Sequence, residues 1–573
     1  MTKQILLGNQ AIARGAYEAG VKVATAYPGT PSTEITENVA KYDEIYAEWA
    51  PNEKVAYEVA AGASVSGKRT LVCMKHVGVN VAADPMFTFS YTGVNGGFVM
   101  VAADDPAMYS SQNEQDSRYY ALAAHMAMLE PSDSQEAKDF VKFGYELSEK
   151  FDTPVVIRTT TRLAHSQSEV ELCDRVEQPD RPYVKDPQKY IMMPGNAIKR
   201  HIAVEQRENA LKQYANECPL NKIEYNGKEL GVICSGIVYQ YVKEALPNAS
   251  VFKLGMVNPL PMDKIKEFAS KVEKLVVIEE LEPIFETQIK AAGIPCHGKD
   301  LFSVQGEITV PEIKEKLFGV KKNVPDATLP GRPPVMCAGC PHRGVYYVLK
   351  KLGLTVCADI GCYTLGAVKP LNAVDTVLCM GASIGMAHGF IKGGYDRKKV
   401  VSVIGDSTFI HSGITGVIDA VYNQSASTIV IVDNSTTGMT GHQDHPATGK
   451  TVKGTPAPIL DLEKLLKACG VGSVRCVDSY DLAAVEKAVK EALEEDFVSV
   501  VVTHRPCQLL KTTPVNKALK VDGCRKCGMC MKIGCPAISK KPDGTVTIAA
   551  SQCVGCGVCA QLCHFGAIKR EEI

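Results

Sequence analysis

Short apolar runs separated by longer amphipathic stretches recur along most of the chain. "VKVATAYPGTPSTEI", "KRTLVCMKH", "GGFVMVAADD" and "TPVVIRTTT" each read as a buried strand running into a loop, with helical periodicity between them. That alternation predicts an α/β fold over residues 1–180. Residues 181–228 are polar and charge-rich with few strand signals, which predicts a connector with some helix. A smaller α/β block spans 229–325, from "ELGVICSGIVYQYVKEAL" through "VEKLVVIEELEPIFETQI". "VPDATLPGRPPVMC" is a proline-rich seam. From 330 to 510 strands are expected in "KKVVSVIGDS", "STIVIVDNS" and "DFVSVVVTHRP". A linker around "LLKTTPVNKALK" leads to a cysteine-rich tail over 515–573.

With 573 residues the chain exceeds what one core serves, so several domains are expected. Apolar content of 45% and charged content of 22% are ordinary for a soluble globular protein. A formal charge of −1 gives no whole-molecule field to draw nucleic acid or an anionic membrane. No uninterrupted apolar run reaches the roughly eighteen residues of a membrane helix. The first residues lack a secretory pattern, so a cytoplasmic protein is expected. The 21 cysteines are the unusual feature, and they crowd between Cys524 and Cys563. A chain this long without a leader favours metal or cluster ligation over disulfides.

Cys524, Cys527, Cys530 and Cys535 stand as C-x2-C-x2-C-x4-C, and Cys553, Cys556, Cys559 and Cys563 as C-x2-C-x2-C-x3-C. Zinc ribbons use paired thiols and have no need of a third at that spacing. The tail resembles a two-cluster bacterial ferredoxin module, in which three close thiolates hold one cluster and the fourth reaches the other. The resemblance implies one [4Fe-4S] cluster on Cys524, Cys527, Cys530 and Cys563, and a second on Cys553, Cys556, Cys559 and Cys535. The extra residue before Cys535, and His564 where proline is usual, depart from that pattern.

Upstream, "VVSVIGDSTFIHSGITGVIDAVYNQSASTIVIVDNSTTGMTGHQ" has one strand ending in Gly405-Asp406 and another in Asp433-Asn434. Gly-Asp alone fits any strand-end turn. The whole stretch resembles the diphosphate-binding signature of thiamine-diphosphate enzymes, with Ser407 in place of a glycine. A hard divalent cation takes oxygen ligands in octahedral geometry and must leave room for two phosphate oxygens. The resemblance implies Mg2+ held by the Asp406 carboxylate, the Asn434 amide oxygen and the Thr436 carbonyl. Gly405, Ser407, Gly438, Met439 and Thr440 would then border the cofactor, glycine allowing close backbone approach. Thiamine chemistry also needs a carboxylate against the aminopyrimidine N1′. "NEKVAYEVAAGASVSGKRTL" offers Glu58, with Glu53 as competitor, although glutamate is ordinarily a solvated surface residue. The stretch resembles the pyrimidine-domain helix of 2-oxoacid:ferredoxin oxidoreductases, and that resemblance selects Glu58.

The same family, in its indolepyruvate-type α subunits, resembles essentially the whole chain, through "CAGCPHRGVYYVLKKLG", "DIGCYTLG", "GDSTFIHSG", "MTGHQ" and the tail. It implies a multidomain α/β thiamine-diphosphate fold with a pyrimidine domain at 1–180, a connector, a transketolase-C-terminal-like domain, a diphosphate domain and a small α+β ferredoxin-like domain. "YPGTPSTEI" would place Thr30 near the reacting carbon, and Arg118 would grip the substrate carboxylate. Cys337, Cys340, Cys362 and Cys507 resemble the holders of a third cluster near thiamine; Cys357 and Cys379 read as core thiols. The implied activity is oxidative decarboxylation of aryl 2-oxoacids with coenzyme A, electrons leaving to ferredoxin, in an α2β2 assembly with a smaller β subunit. A non-oxidative thiamine decarboxylase and an electron-transfer scaffold are the alternatives.

Overall fold

Strands covered on both faces have no polar side to show. Thr70–Lys75 (TLVCMK) and Phe98–Asp104 (FVMVAAD) are buried at every position, as central strands of a parallel sheet must be. The computed structural model describes residues 2–179, 181–320 and 333–570. It divides into two units, Met1–Ala327 and Thr328–Ile573.

The first unit is built on a seven-stranded sheet. Its order is Met256–Asn258, Ala127–Leu129, Val155–Thr160, Phe98–Asp104, Thr70–Lys75, Val23–Ala26 and Tyr46–Trp49. Every pairing is parallel except that of Met256–Asn258 with Ala127–Leu129. A four-stranded sheet follows, in the order Lys274–Ile278, Leu230–Ser235, Ser250–Leu254 and Lys222–Glu224. The block expected over 229–325 therefore has its own sheet but lends one strand to its neighbour. Its aromatic residues Phe252, Phe268 and Phe285 lie in the same core as Tyr57, Phe89 and Phe98. The polar connector carries the 24-residue helix Pro194–Glu217. Arg207 of that helix bonds the carbonyls of Asp152 at 2.9 Å and Ser90 at 2.7 Å.

The second unit holds a six-stranded parallel sheet. Its order is Thr376–Val377, Thr355–Ala358, Val400–Gly405, Thr428–Asp433, Ser499–His504 and Ser473–Asp478. The tail adds two antiparallel ribbons, Lys520–Val521 with Ile568–Lys569 and Ile538–Lys540 with Val546–Ile548. Short helical turns at Met529–Ile533 and Val558–Gln561 complete it. Ile533, Val558, Leu562 and Ile568 of the tail share a core with Val345, Leu349 and Val485. None of the cysteines forms a disulfide. No helix among the described residues is long and apolar enough to cross a membrane.

Candidate active site

In parallel α/β sheets ligands collect at the carboxyl ends of the strands. Val400–Gly405 ends there, and Asp406 opens a helix whose Phe409–Gly413 segment makes a π turn, a local widening that often marks function. Asp406 is buried; its Oδ2 accepts from the Ser435 N–H at 2.9 Å and meets His445 Nε2 at 3.1 Å. Burial pushes the Asp406 carboxyl up against the pull of His445. Burial also works against a charged His445, yet Asp406 outweighs it and raises the imidazole.

The Asn434 amide is the informative group. As placed, its oxygen faces only acceptors, the Thr436 carbonyl at 2.9 Å and Asp406 Oδ1 at 3.1 Å. Oxygens repel at that distance unless a proton or a cation lies between them. Adjacent ligands of an octahedral ion at about 2.1 Å stand about 3.0 Å apart, a spacing these three positions match when the Asn434 oxygen is the inward atom. Turned over, the amide nitrogen donates to both oxygens, the orientation that satisfies these groups when no cation is bound. Ser435 sits between the donors at φ +57°, a left-handed turn uncommon for a side chain other than glycine. It turns the Asn434 head and the Thr436 carbonyl toward one point. Ser407 Oγ accepts from Thr437 Oγ1 at 2.9 Å, and Thr440 Oγ1 donates to Gln443 at 2.5 Å. A Cβ on Gly438 would lie 3.3 Å from the Asn434 amide nitrogen and 3.4 Å from Cys362 Sγ. Met439 is about half exposed.

The thiols gather into three sets. Burial raises Cys530, and Cys563, Cys524 and Cys527 add to the shift. Burial likewise raises Cys559, which feels Cys556, Cys535 and Cys553, with Cys530 beyond them. Cys563 and Cys535 thus each stand with the other run of three. Backbone N–H groups point at the sulfurs: Ala567 to Cys563 at 3.2 Å, Val546 to Cys524 at 3.4 Å and Leu519 to Cys553 at 3.4 Å. The N–H groups of Lys526 and Val546 hold the Cys524 thiol below its ordinary range. The third set is Cys337, Cys340, Cys362 and Cys507, each within electrostatic reach of another. It borders the oxygen trio directly, since the Cys507 N–H donates to the Asn434 carbonyl at 2.9 Å. Among the described residues, no group of three or more His, Cys, Asp or Glu side chains is arranged to hold a single metal ion. Cys357 is buried in the sheet, whereas Cys379 is exposed, contrary to its reading as a core thiol.

Between the third set and the tail the contact is close. A Cβ on Gly339 would fall 2.1 Å from Val554 Cγ2, so the loops Cys337–Cys340 and Cys553–Cys556 touch. The Arg343 guanidinium bonds the carbonyls of Met336 and Cys337 on one side. On the other it bonds those of Ile533 at 3.2 Å and Gly534 at 2.6 Å.

In the first unit the sequence-predicted residues sit in contrasting surroundings. Glu58 is exposed and pairs with Lys54 one helical turn away, an ordinary surface pair. Glu53 is 4% exposed. Its carboxylate packs on Gly78 in the first turn of His76–Thr92, where a Cβ would come within 2.5 Å of Oε1. Thr30 lies in the loop after Val23–Ala26 and accepts from Ser110 Oγ at 3.4 Å through its carbonyl. Arg118 lies in a buried ion-pair network. It is 2% exposed and bonds Asp116 at 2.6 Å, Glu279 at 2.7 Å and the carbonyls of Glu280 and Glu282. A substrate carboxylate would have to compete with these acceptors for the guanidinium. With Arg158, Asp104 and Glu130 it joins the two sheets of the unit. Sequence reading passed over Lys75 and His76, both buried at the carboxyl end of Thr70–Lys75. The signal was available, because "MKH" sets two basic residues at the end of an apolar run.

Two family models match the chain. "Pyruvate flavodoxin/ferredoxin oxidoreductase, thiamine diP-bdg" covers residues 14–221, and "Thiamine pyrophosphate enzyme, C-terminal TPP binding domain" covers 359–503. The chain is 41% identical to indolepyruvate oxidoreductase subunit IorA of Archaeoglobus fulgidus, over 99% of this chain and 97% of that protein. It is 40% identical to the subunit of the same name from Thermococcus kodakarensis, over 99% and 96%. Among solved structures, 2-oxoglutarate:ferredoxin oxidoreductase from Magnetococcus marinus aligns with a TM-score of 0.47 at 17% identity. That match spans 55% of this chain and 65% of the solved one. Thiamine-diphosphate-binding domains of two kinds on one α/β chain make this an oxidoreductase of the thiamine-dependent 2-oxoacid class. Within that class, the chain belongs to the family of indolepyruvate oxidoreductase IorA subunits.

Proposed function

We propose that the chain is the catalytic subunit of an enzyme that oxidatively decarboxylates aryl 2-oxoacids, indolepyruvate among them. Coenzyme A would take the acyl group to give aryl-acetyl-CoA, and iron–sulfur clusters would pass the electrons to ferredoxin. The observation that carries this reading is the wall shared by the Asp406–Asn434–Thr436 oxygens and the Cys337–Cys340–Cys362–Cys507 thiols. A non-oxidative decarboxylase has no use for such a neighbour.

Bound thiamine diphosphate would supply a carbon nucleophile and an electron sink for the bond to CO2. Asp406, Asn434 and Thr436 would hold Mg2+ against its diphosphate, with Gly405, Ser407, Gly438 and Thr440 lining the bed. Glu53, rather than Glu58, is assigned to the aminopyrimidine N1′. Burial beside a helix N-terminus suits a carboxylate that must stay in place, and a solvent-facing ion pair does not. Thr30 keeps its place in the substrate loop. Each thiol set would hold a [4Fe-4S] cluster, whose potential responds to N–H groups aimed at the sulfurs. The Gly339–Val554 contact supports an electron route from the third set to the set containing Cys535, and from there to the set containing Cys524. The ribbons and helical turns of the tail support a ferredoxin-like α+β domain. Domain limits of 1–180, 181–228, 229–325, 330–510 and 515–573 accompany this reading. The relatives are named as subunits, which supports a partner subunit; a smaller β chain in an α2β2 assembly accompanies this reading.

The test is anaerobic. The purified complex, reconstituted with iron, sulfide, Mg2+ and thiamine diphosphate, receives phenylpyruvate or indolepyruvate and coenzyme A. Bleaching of the visible absorbance with formation of the aryl-acetyl thioester is expected. Release of free aldehyde with unchanged colour defeats the proposal.

A further inference from the structure

Beside Glu53 and the Thr30 loop lie two buried basic groups to which the proposed function gives no task. Lys75 ends its strand and His76 opens the following helix. Lys75 is 7% exposed and His76 1%. The Lys75 ammonium donates to the Ser110 carbonyl at 2.7 Å and reaches Ser110 Oγ only at 3.5 Å. The neighbouring acid, Asp105, is engaged elsewhere. It accepts from the Ser110 N–H at 2.9 Å, Ser111 Oγ at 2.5 Å and Thr161 Oγ1 at 2.7 Å. Burial pushes Lys75 down to about 8 against the attraction of Asp105. A buried ammonium with no carboxylate in its hydrogen-bond shell is held at a cost, and an anion in direct contact would reduce it.

His76 is the more telling group, since neither ring nitrogen has a hydrogen-bond partner. Burial lowers the imidazole's pKa against the pull of Asp104 and Asp105 and of the Asn113 backbone, which stays short of hydrogen-bond geometry. A neutral imidazole offers one N–H and one lone pair, and buried polar atoms left unpaired are rare enough to need a reason.

Position supplies the reason. A Cβ on Gly29, next to Thr30, would lie 3.1 Å from Lys75 Cβ. Ser110, which holds the ammonium, also bonds the Thr30 carbonyl. Gly78, against which Glu53 packs, is two residues beyond His76. An anion-seeking ammonium next to an unpaired neutral donor matches one small head group well: a carboxylate adjoining a carbonyl oxygen. We propose that Lys75 binds the carboxylate of the 2-oxoacid and His76 donates a hydrogen bond to its 2-oxo oxygen. The inference rests on the 2-oxoacid reading of this site, and it gives Lys75 the task expected of Arg118.

Calorimetric titration of phenylpyruvate into the full chain with its small partner subunit tests this without turnover. Steady-state kinetics with a viologen acceptor complete the test. Lys75→Met should weaken phenylpyruvate binding and raise its KM about 10- to 100-fold, as loss of a charge-assisted hydrogen bond does. Bound thiamine and the KM for coenzyme A should stay unchanged, which also reports an intact fold. Lys75→Arg should restore most of the affinity. His76→Leu should lower kcat more than it raises KM, because its partner oxygen gains charge in the transition state, and His76→Gln should recover part of the loss. Unchanged phenylpyruvate affinity in Lys75→Met at full thiamine content overturns the inference and leaves the proposed function standing. Wild-type protein that binds phenylpyruvate in a Lys75-dependent way but reduces no acceptor overturns the function instead.

Discussion

Glu53 and Glu58 lie five positions apart on one helix, yet their surroundings differ. Glu58 is held by Lys54 in solvent, whereas Glu53 is fixed against the backbone at Gly78. Glu53→Gln is therefore expected to retain thiamine diphosphate while slowing exchange of its C2 proton by about 100-fold or more, the usual worth of a placed acid–base group. Glu58→Gln should exchange at nearly the wild-type rate, and a large slowing there would return the role to Glu58. Asp406→Ala removes one of three converging oxygens. Loss of bound Mg2+ and thiamine is expected with the iron–sulfur absorbance intact, as read by metal analysis and the visible spectrum. Helical periodicity could not separate the two glutamates. Their difference lies in Gly78, a residue distant in sequence whose missing side chain makes the room.

At the scale of elements, the tail is tied to the second sheet by packing and by Arg343. Its guanidinium occupies four carbonyls, two before the Cys337–Cys340 loop's helix and two beside Cys535. Arg343→Leu leaves them short of donors at about 1–3 kcal/mol for each buried group so stranded. Limited proteolysis should then release the tail fragment far sooner than in the wild type; equal digestion rates would deny Arg343 this role. Gly339 has φ +68° and no room for a side chain beside Val554. Gly339→Ala should push the two loops apart and slow bleaching of the tail clusters after substrate addition. Stopped-flow absorbance measures this directly. Strand positions were legible because parallel strands such as Phe98–Asp104 are apolar throughout. The transfer of Met256–Asn258 to the neighbouring sheet was not, since three residues carry no periodicity.

At the scale of the molecule, each unit carries its own groups, the first Glu53, Lys75 and His76 and the second the oxygen trio and the thiols. Saturating thiamine diphosphate with Mg2+ should raise the thermal midpoint of the unit that holds the trio, a ligand at 100 times its Kd contributing about 2.7 kcal/mol. Chelating Mg2+ with EDTA should reverse the gain while the brown colour persists. A midpoint indifferent to Mg2+ would remove the cation from the site. The thiamine-diphosphate-binding domain around Gly405-Asp406 was legible because its strand-end turn carries a small residue, a carboxylate and, at the next strand end, an amide. The surroundings of Arg118 were not legible, because an arginine looks the same in sequence whether its partner is a ligand or Asp116.

Sequence alone determined what depends on local spacing. Thiols two residues apart must face one point, and an apolar run must enter a core. It therefore set the two runs of closely spaced cysteines, which strands are buried, and where the Asp406–Asn434 turn falls. Tertiary structure decided what depends on distant surroundings: that Arg118 is neutralised by Glu279, that Glu53 rather than Glu58 is enclosed, and that His76 is left without a partner. A side chain's charge and shape are written in its identity, but its partners are supplied by strands and loops that reach it only when the chain has folded.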